Sequence, residues 1–354
     1  MSNKMNTTAL ALSAAQIKAL ACELQAIESR EMASLGDADI RYIRKIQRAV
    51  LVLEIIGRGL LFLGFNPIAW AAGVLFLSIG KIIENTEIGH NVMHGQYDWA
   101  GDNTLKGNKY EFDVVATADN WRSSHNDQHH ENTGIQGLDN DVSVLRFSKQ
   151  QSWRWSHLFQ LPFAIASALF AQWGVAIQDL RLGDLAKGNI TGQTFWTERV
   201  RPLLKKSLLV TLKDYVVFPL LAGPYFLNVL LGNLAANALR NIWVWLVIAA
   251  GHCVSGVRIY QKNELEGLPE EHWYIRQITS SANFSAGPIL RILTGHLGYH
   301  IEHHLFPDIP ARRYPEIAQE IEDLCQVNQV PYNSRSLSYR IFELFYRLLR
   351  FSFP

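Results

Sequence analysis

Three short groups of histidines have the residue type and the spacing of metal ligands. In chain order they are His90-Asn-Val-Met-His94, His125-Asn-Asp-Gln-His129-His130 and His300-Ile-Glu-His303-His304. On an α-helix, residues four apart lie on one face about 6 Å from each other, so two imidazoles at this spacing can converge on one ion. A histidine next to such a pair is rotated by about 100° and can reach a second ion. The spacing therefore predicts metal binding by all eight side chains.

Of the four remaining histidines, two lie near these groups or at a membrane boundary. His252 ends an apolar segment, where an unpaired imidazole would be costly, so we predict it as a ninth ligand. His296 lies one turn before His300 and is a ligand, a partner of a ligand or a packing residue. His157 and His272 have no histidine nearby and are interpreted as ordinary residues. Nine imidazoles exceed the roughly four to six positions of one ion, which implies two ions.

The rest of the sequence favours iron for these two ions. Neutral imidazole suits zinc, copper, iron and nickel. The three cysteines are widely spaced and form no CxxC or CxxCH motif, which excludes a disulfide scaffold and argues against a thiolate site, an iron–sulfur cluster and covalently bound haem. An open site with two ions and many histidines, beside a bilayer, indicates redox chemistry on oxygen.

Carboxylates in the same strings are predicted to accept the second ring N–H of a ligand histidine and so to fix its tautomer. The candidates are Asp127, Glu131 and Glu302, followed by Asp98, Asp139 and Asp141. For each of them, a solvated acidic residue is the alternative interpretation.

Five apolar segments must position the histidines. They are residues 49–65, 67–83, 158–178, 215–239 and 241–257. A membrane-spanning helix needs roughly 20 mostly apolar residues, so each segment is a candidate and the first two are short. Glu54 and Arg58 interrupt the first segment and are predicted to pair, being four residues apart, and Asn66-Pro67 predicts a tight turn before the second. Buried helices of a soluble protein are the alternative, but several long uncharged runs are hard to place in one soluble core.

The two ends of the chain are predicted to lie outside the bilayer. Residues 1–48 are mixed polar and helical in character and carry no early block of basic and apolar residues, which argues against a cleaved signal peptide. Their basic cluster directly before the first apolar run predicts that this segment is cytoplasmic. Residues 331–354 alternate arginine with aromatic and leucine side chains, which predicts an amphipathic tail that lies at the interface or packs against the protein. The formal net charge of +1 argues against a nucleic-acid partner.

At the histidine groups the sequence resembles the membrane-bound fatty acid desaturases, in particular their bacterial branch acting on acyl-CoA or acyl-lipid chains. The strings that carry the resemblance are GHNVMHGQYDW (89–99), WRSSHNDQHHENTGIQGLDND (121–141), WYIRQITSSANF (273–284) and YHIEHHLFPDIPARRY (299–314). The resemblance implies that the iron ligands are His90, His94, His125, His129, His130, His252, His300, His303 and His304. Two positions depart from relatives that have asparagine there, namely Ile248 and His296.

The resemblance also implies a fold. We expect an all-α integral membrane protein with four transmembrane helices in two hairpins, about 49–88 and 213–252, and a cytoplasmic helical cap that holds the di-iron site. The desaturase domain would span 49–330, with histidine boxes at 90–94, 125–130 and 300–304. All three boxes must share the cytoplasmic side, so residues 158–178 are expected to be re-entrant or interfacial.

The function implied is that of an oxidoreductase that introduces a cis double bond into an acyl-CoA or lipid-linked acyl chain. Two iron ions and O₂ would supply the oxidant, because no side chain can break an unactivated C–H bond. The sequence has no GxGxxG fingerprint, so we expect electrons from ferredoxin, rubredoxin or cytochrome b5 with its reductase. We expect a multi-pass protein of a bacterial inner membrane. Aromatic residues predicted to line the acyl tunnel, unless they are ordinary packing residues, are Trp121, Trp273, Tyr274 and Phe284.

Three other functions fit parts of the pattern. A di-iron hydroxylase of acyl or alkyl chains would use the same scaffold and would release an alcohol instead of an alkene. A membrane metal transporter would need ionisable residues along a path through the bilayer. A zinc hydrolase would need one metal ion and no reductant.

Overall fold

The computed structural model describes residues 12–63, 65–139, 145–149 and 151–354. Helices make up most of this part of the chain, and its only sheet pairs two three-residue strands in parallel, β1 (Asn283–Ser285) and β2 (Ser334–Ser336). The helices Asp37–Phe62, Pro67–Ile83 and Phe226–His252 pack against one another as a bundle. The described helices are therefore arranged as the all-α prediction requires.

The first half of the bundle is a closely packed helical hairpin. The hairpin consists of α2 (Asp37–Phe62) and α3 (Pro67–Ile83). Helix α1 (Ala14–Ala33) precedes it, and α4 (Asn91–Met93) follows it. The predicted turn between α2 and α3 is present, because the Asn66 side chain accepts hydrogen bonds from the N–H groups of Ile68 and Ala69 at the start of α3. Gly57 and Gly73 face each other, and a Cβ on Gly57 would lie 2.7 Å from the nitrogen of Leu77. These glycines let the two backbones approach.

The middle of the chain carries the second histidine group and then a sharply bent pair of helices. The helices are α5 (Ala118–Ser124), α6 (Gln160–Leu169), α7 (Ala171–Gln178), α8 (Leu182–Ala186) and α9 (Gly192–Thr194). The axis bends by 94° between Trp155–Leu169 and Ala171–Ala186. A straight span over residues 158–178 is therefore absent, and the bend is the shape of a broken span or a re-entrant segment, which agrees with the expectation for this segment.

The second half of the bundle differs from the predicted boundaries. Its helices are α10 (Arg201–Leu212), α11 (Phe218–Leu221) and α12 (Phe226–His252). The chain turns at Gly223, which has φ +55°, and at the Pro224 that follows. By contrast, α12 runs through Arg240 without a break. The sequence predicts two apolar segments separated at Arg240 because of its charge, and this division is wrong. The guanidinium of Arg240 is buried and donates to the carbonyl of Asp113 and to the side chain of Asn241.

By length and composition, two helical stretches of the described chain could cross a bilayer, Pro67–Met93 and Gly223–His252, and a third if the bent pair counts as one span. The prediction of four spanning helices thus stays a prediction.

Buried charges hold the hairpins together: Lys81 Nζ lies 2.8 Å from Asp214 Oδ2, and Arg58 pairs with Asp214 rather than with Glu54. Charges buried in this way must be paired to be tolerated.

An apolar cluster, here called the cap core, joins the N-terminal helix to the last third of the chain. The helices of this last third are α13 (His272–Thr279), α14 (Pro288–Leu293), α15 (His300–Leu305), α16 (Tyr314–Val327) and α17 (Leu337–Ser352). Leu20 and Leu24 of α1 pack with Ile278, Ile301 and other apolar side chains of α13, α15 and α16. This core holds α15, and with it the third histidine group, against the end of the bundle.

Candidate metal centre

The first two histidine groups lie on widened helical turns. A π-helical turn, Glu84–His90, extends α3 to the first group, and a second one, His125–His130, extends α5 to the second group. Thr117 begins α5 by accepting a hydrogen bond from the N–H of Asn120. Turns of this kind are frequent at functional sites because they change which side chains share a face. The third group lies on α15, an ordinary α-helix.

Tertiary packing brings the histidines of all three groups together and sorts them into two sets. In the first set the ligand atoms of four histidines lie within 4.8 Å of one another, and in the second set those of three do so. The first set is His90, His94, His125 and His303, and the second is His129, His252 and His304. His130 and His300 join them, because His130 Nε2 lies 3.3 Å from His125 Nε2 and His300 Nε2 lies 2.8 Å from His252 Nε2.

This arrangement fits two metal ions with nitrogen ligands. Metal–imidazole bonds are about 2.0–2.1 Å long, so two nitrogens on one ion at 90–109° lie about 2.8–3.4 Å apart. The nitrogens of His252 lie 2.8 and 3.2 Å from those of His300 and His304. His94 Nε2 and His303 Nδ1 are buried without a hydrogen-bond partner. A buried ring nitrogen without a hydrogen-bond partner raises the free energy of the folded protein, and a cation bound to its lone pair would remove that cost.

Burial keeps these imidazoles in the form that binds metal. The pKa of each of the six that lie outside the two long apolar helices is held well below its ordinary value, first by burial and then by the neighbouring imidazoles. They are His94, His125, His130, His300, His303 and His304. Neutral imidazole is the species that coordinates a metal, so the protein needs to release no protons from these side chains when an ion binds.

The carboxylate that contacts a histidine of the second group is Asp139. Its Oδ1 lies 2.8 Å from His129 Nδ1, and its Oδ2 accepts a hydrogen bond of 2.7 Å from the N–H of Gly134. The chain returns to the group through Gly134, which has φ +74°. Burial opposes ionisation of Asp139, but His129 and the N–H of Gly134 lower its pKa. From the sequence, Asp139 is a weaker candidate partner of a ligand histidine than Asp127 and Glu131, because it lies ten residues from His129.

The better-ranked carboxylates lie elsewhere. Asp127 and Glu131 are exposed. Glu302 is fully buried but contacts no histidine by hydrogen bond in the described chain: Asn283 Nδ2 and Tyr332 OH donate to it at 2.8 and 2.7 Å. Burial raises the pKa of Glu302 to about 7. Glu302 therefore ties α15 to β1 and to the segment before β2, a role that the sequence did not indicate.

His296 lies outside both histidine sets. Its Nδ1 is 2.9 Å from Glu87 Oε2, and Tyr42 donates a hydrogen bond of 2.7 Å to the other oxygen of Glu87. His296 has φ +57°, a left-handed conformation in which asparagine is commoner than histidine. Of the three roles left open for this residue, the structure favours a pairing and packing role that connects the loop before α15 to the first histidine group.

One of the four predicted tunnel aromatics lies at the centre. The indole of Trp121 stacks on His125 at 4.3 Å and meets His90 and His94 edge-on, each at 5.6 Å. Phe284 packs in an apolar cluster with Val247, and Tyr274 packs against the cap core. Trp121 therefore forms one wall of the first histidine set.

Comparisons with known proteins agree with this geometry. The sequence profile of the family described as "Fatty acid desaturase" matches residues 67–336. The chain is 39% identical over 349 residues to the NADPH-dependent stearoyl-CoA 9-desaturase of Mycobacterium tuberculosis, covering 97% of this chain and 82% of that protein. It is 27% identical over 286 residues to the sn-1 linoleoyl-lipid 6-desaturase of Synechocystis, covering 77% and 78%. The resemblance read from the histidine groups is thereby confirmed. The chain belongs to the fatty acid desaturase family and is an oxidoreductase of the desaturase type.

Proposed function

We propose that the protein is an O₂-dependent desaturase that introduces a cis double bond into a fatty acyl chain carried by coenzyme A. The observation that carries the proposal is the convergence of nine imidazoles, from the three histidine groups and His252, on two adjacent sets of ligand atoms. Coenzyme A is favoured as the carrier because the relative that is 39% identical acts, by its name, on stearoyl-CoA, whereas the lipid-linked desaturases are more distant.

The ions proposed for this centre are iron. Two iron ions bound there would supply the oxidant that breaks C–H bonds and that no side chain can replace. The imidazole donors, with no thiolate among the nine, fit iron. In the overall reaction, O₂ becomes two waters, with two electrons from the acyl chain, two from an external carrier, and two protons taken up.

The side chains of the protein would hold and orient the reactants. Asp139 accepts from His129 Nδ1, which leaves the lone pair of His129 Nε2 directed at the second set. Trp121 covers one side of the first set and would exclude water from it. A side chain that fixes the acyl chain beside the centre contributes by holding the reacting carbons close to it.

The location and the electron supply complete the proposal. The family is associated with membranes and the chain has two helices that are apolar enough to cross one, so we infer a multi-pass protein with its histidines on the cytoplasmic side. A ferredoxin, a rubredoxin or a cytochrome b5 with its reductase would deliver the electrons. The NADPH dependence in the name of the mycobacterial relative is consistent with such a carrier.

Gas chromatography–mass spectrometry of lipids from a host that expresses the protein tests this function. We expect a new cis-monounsaturated acyl chain with the wild type and with the control His157→Ala, whose side chain is partly exposed and belongs to neither histidine set. With His303→Ala we expect no new product, although an immunoblot shows the same amount in the membrane. A hydroxylated fatty acid in place of the alkene would replace the proposal by the hydroxylase, and activity in His303→Ala would refute the role of the centre.

A further inference from the structure

Three arginines surround one aromatic ring near the C-terminus. The guanidinium carbons of Arg146, Arg347 and Arg350 lie 5.7, 5.3 and 5.8 Å from the ring centroid of Phe351. Within the described parts of the chain, none of the three forms an ion pair with a carboxylate. Three like charges this close to one another repel, and the aromatic ring offsets only part of that repulsion. Among the described residues, Glu343 attracts Arg347 electrostatically, but no carboxylate lies within ion-pair distance of the three guanidinium groups.

The nearest acidic side chain on the same helix is already engaged. Glu343 Oε2 accepts from Arg340 Nη1 at 3.1 Å, and its other oxygen accepts from the N–H and the hydroxyl of Ser255. By contrast, Arg347 Nε is buried without a hydrogen-bond partner, although the same guanidinium donates to the carbonyl of Phe147. Arg350 makes no hydrogen bond in the described chain. The free donors of these two arginines can thus bind an anion.

These donors open into a groove on the outer face of α17. The groove has a volume of about 450 Å³ and is lined by aromatic side chains, by Ser255 and Glu343, and by Arg347 and Arg350. Because both oxygens of Glu343 already accept hydrogen bonds, the two arginines supply the unused donors of this largely aromatic groove. A ligand that fills the groove must combine an anionic head with apolar material.

The same face of α17 carries a stripe of exposed apolar side chains. Tyr339, Phe342, Tyr346, Leu349 and Phe353 recur at helical spacing and are 48–68% exposed. The opposite face packs inward, and Gln160 Nε2 of α6 donates to the backbone there at 2.7 Å. Helix α6, which contacts α17, belongs to the bent helix pair, and that pair also exposes apolar side chains such as Phe163 and Phe170. An exposed stripe of this size marks an interaction surface, and its contact with a segment that could enter a membrane favours the bilayer as the partner of that surface.

We propose that Arg347 and Arg350, supported by Arg146, bind the phosphate of an anionic phospholipid in the cytoplasmic leaflet while the stripe of α17 enters the hydrocarbon. Arginine suits this ligand because its planar fork donates two hydrogen bonds to one phosphate. Arg347 and Arg350 lie on α17, beyond the residues 67–336 that match the family profile, and the site uses none of the nine histidines. The proposal therefore holds or fails independently of the desaturase function.

Native mass spectrometry of the full-length protein released from nanodiscs tests the site. The nanodiscs contain phosphatidylcholine with or without phosphatidylglycerol, and inorganic phosphate and acyl-CoA are added in separate arms. The variants are Arg350→Gln, which breaks no hydrogen bond among the described residues, the double variant Arg347→Gln/Arg350→Gln, and Arg347→Lys. The control is Lys262→Gln, a change of the same size at an exposed lysine elsewhere.

We expect the wild type and the control to retain phosphatidylglycerol in preference to phosphatidylcholine. Retention should fall about fivefold for each arginine removed and about 25-fold in the double variant, because one basic residue near an anionic lipid contributes roughly this factor. If the double variant unfolds, the single Arg350→Gln variant decides. Equal retention of the two lipids by the wild type, an unchanged Arg350→Gln variant, or displacement of the lipid by phosphate or acyl-CoA would each overturn the proposal.

Discussion

Replacement of Asp139 by asparagine tests how the second histidine set is held. The carboxylate is fully buried and receives two donors, His129 Nδ1 at 2.8 Å and the N–H of Gly134 at 2.7 Å. The amide of asparagine has one oxygen, so it can accept from only one of them and turns an N–H₂ toward the other. One hydrogen bond to a charged group is lost, which is worth about 1.5–3 kcal/mol.

Part of that loss appears in metal binding, because His129 is no longer fixed in the tautomer that offers Nε2. Removal of such a supporting group lowers metal affinity by about 10–100-fold, equal to about 1.4–2.8 kcal/mol, which agrees with the range from the hydrogen bond. The assay is a titration of metal-free protein with Fe²⁺ under anaerobic conditions, against a chelator of known affinity. We expect one of the two ions to bind weakly in Asp139→Asn and the other to bind normally.

Asp127→Asn is the matched control, since it makes the same chemical change on an exposed side chain of the same segment. It should bind both ions like the wild type. An affinity within twofold of the wild type for Asp139→Asn would refute the reasoning, as would an equal loss in Asp127→Asn, because the effect would then follow the lost charge and not the contact with His129.

Two further predictions concern the packing and the protonation of the centre. In Gly251→Ala the new Cβ would lie 2.5 Å from His300 Cδ2, so we expect displacement of the His300 ring and loss of at least one ion. The control is Gly183→Ala, where the new Cβ has no atom within 4 Å, and this variant should bind both ions in the same titration. For the metal-free protein we expect the melting temperature to fall as the pH drops below about 6.5. The pKa of each buried imidazole is lower in the folded than in the unfolded protein, so its contribution to stability is present above that pH and is lost on acidification. The loss is up to about 1.4 kcal/mol per pH unit for each imidazole. A melting temperature that stays constant or rises between about pH 7.5 and 5.5 would contradict this.

Much of the site could be predicted from local spacing, and the errors have identifiable causes. Helical periodicity fixes which histidines of one group share a face, and this made the three groups recognisable as ligands. The same reasoning placed Asp127 and Glu131 near the imidazoles only because they are neighbours in sequence. Asp139 contacts His129 because the chain reverses at Gly134, and a turn of this kind relates residues that no helical period connects.

The prediction of the fold was also correct at some positions and wrong at others. The hairpin turn at Asn66 follows from a capping residue and a proline that are adjacent in the sequence. The division of α12 at Arg240 was wrong because a charge in an apolar run looks like a boundary until its partners are known. Those partners, the carbonyl of Asp113 and the side chain of Asn241, are supplied partly by a distant segment, so only the packed structure shows that the charge can be buried within a helix.

The amino-acid sequence by itself determined the family, the reaction type and the pairs of imidazoles within each group, because these depend on residue identity and on the 3.6-residue period of the helix. The tertiary structure decided which imidazoles from different groups face one another. His303 joins His90, His94 and His125, whereas its neighbour His304 joins His129 and His252. That division depends on the angle and depth at which α15 packs against the end of the bundle, and these are set by the whole cap core and not by any single stretch of the chain.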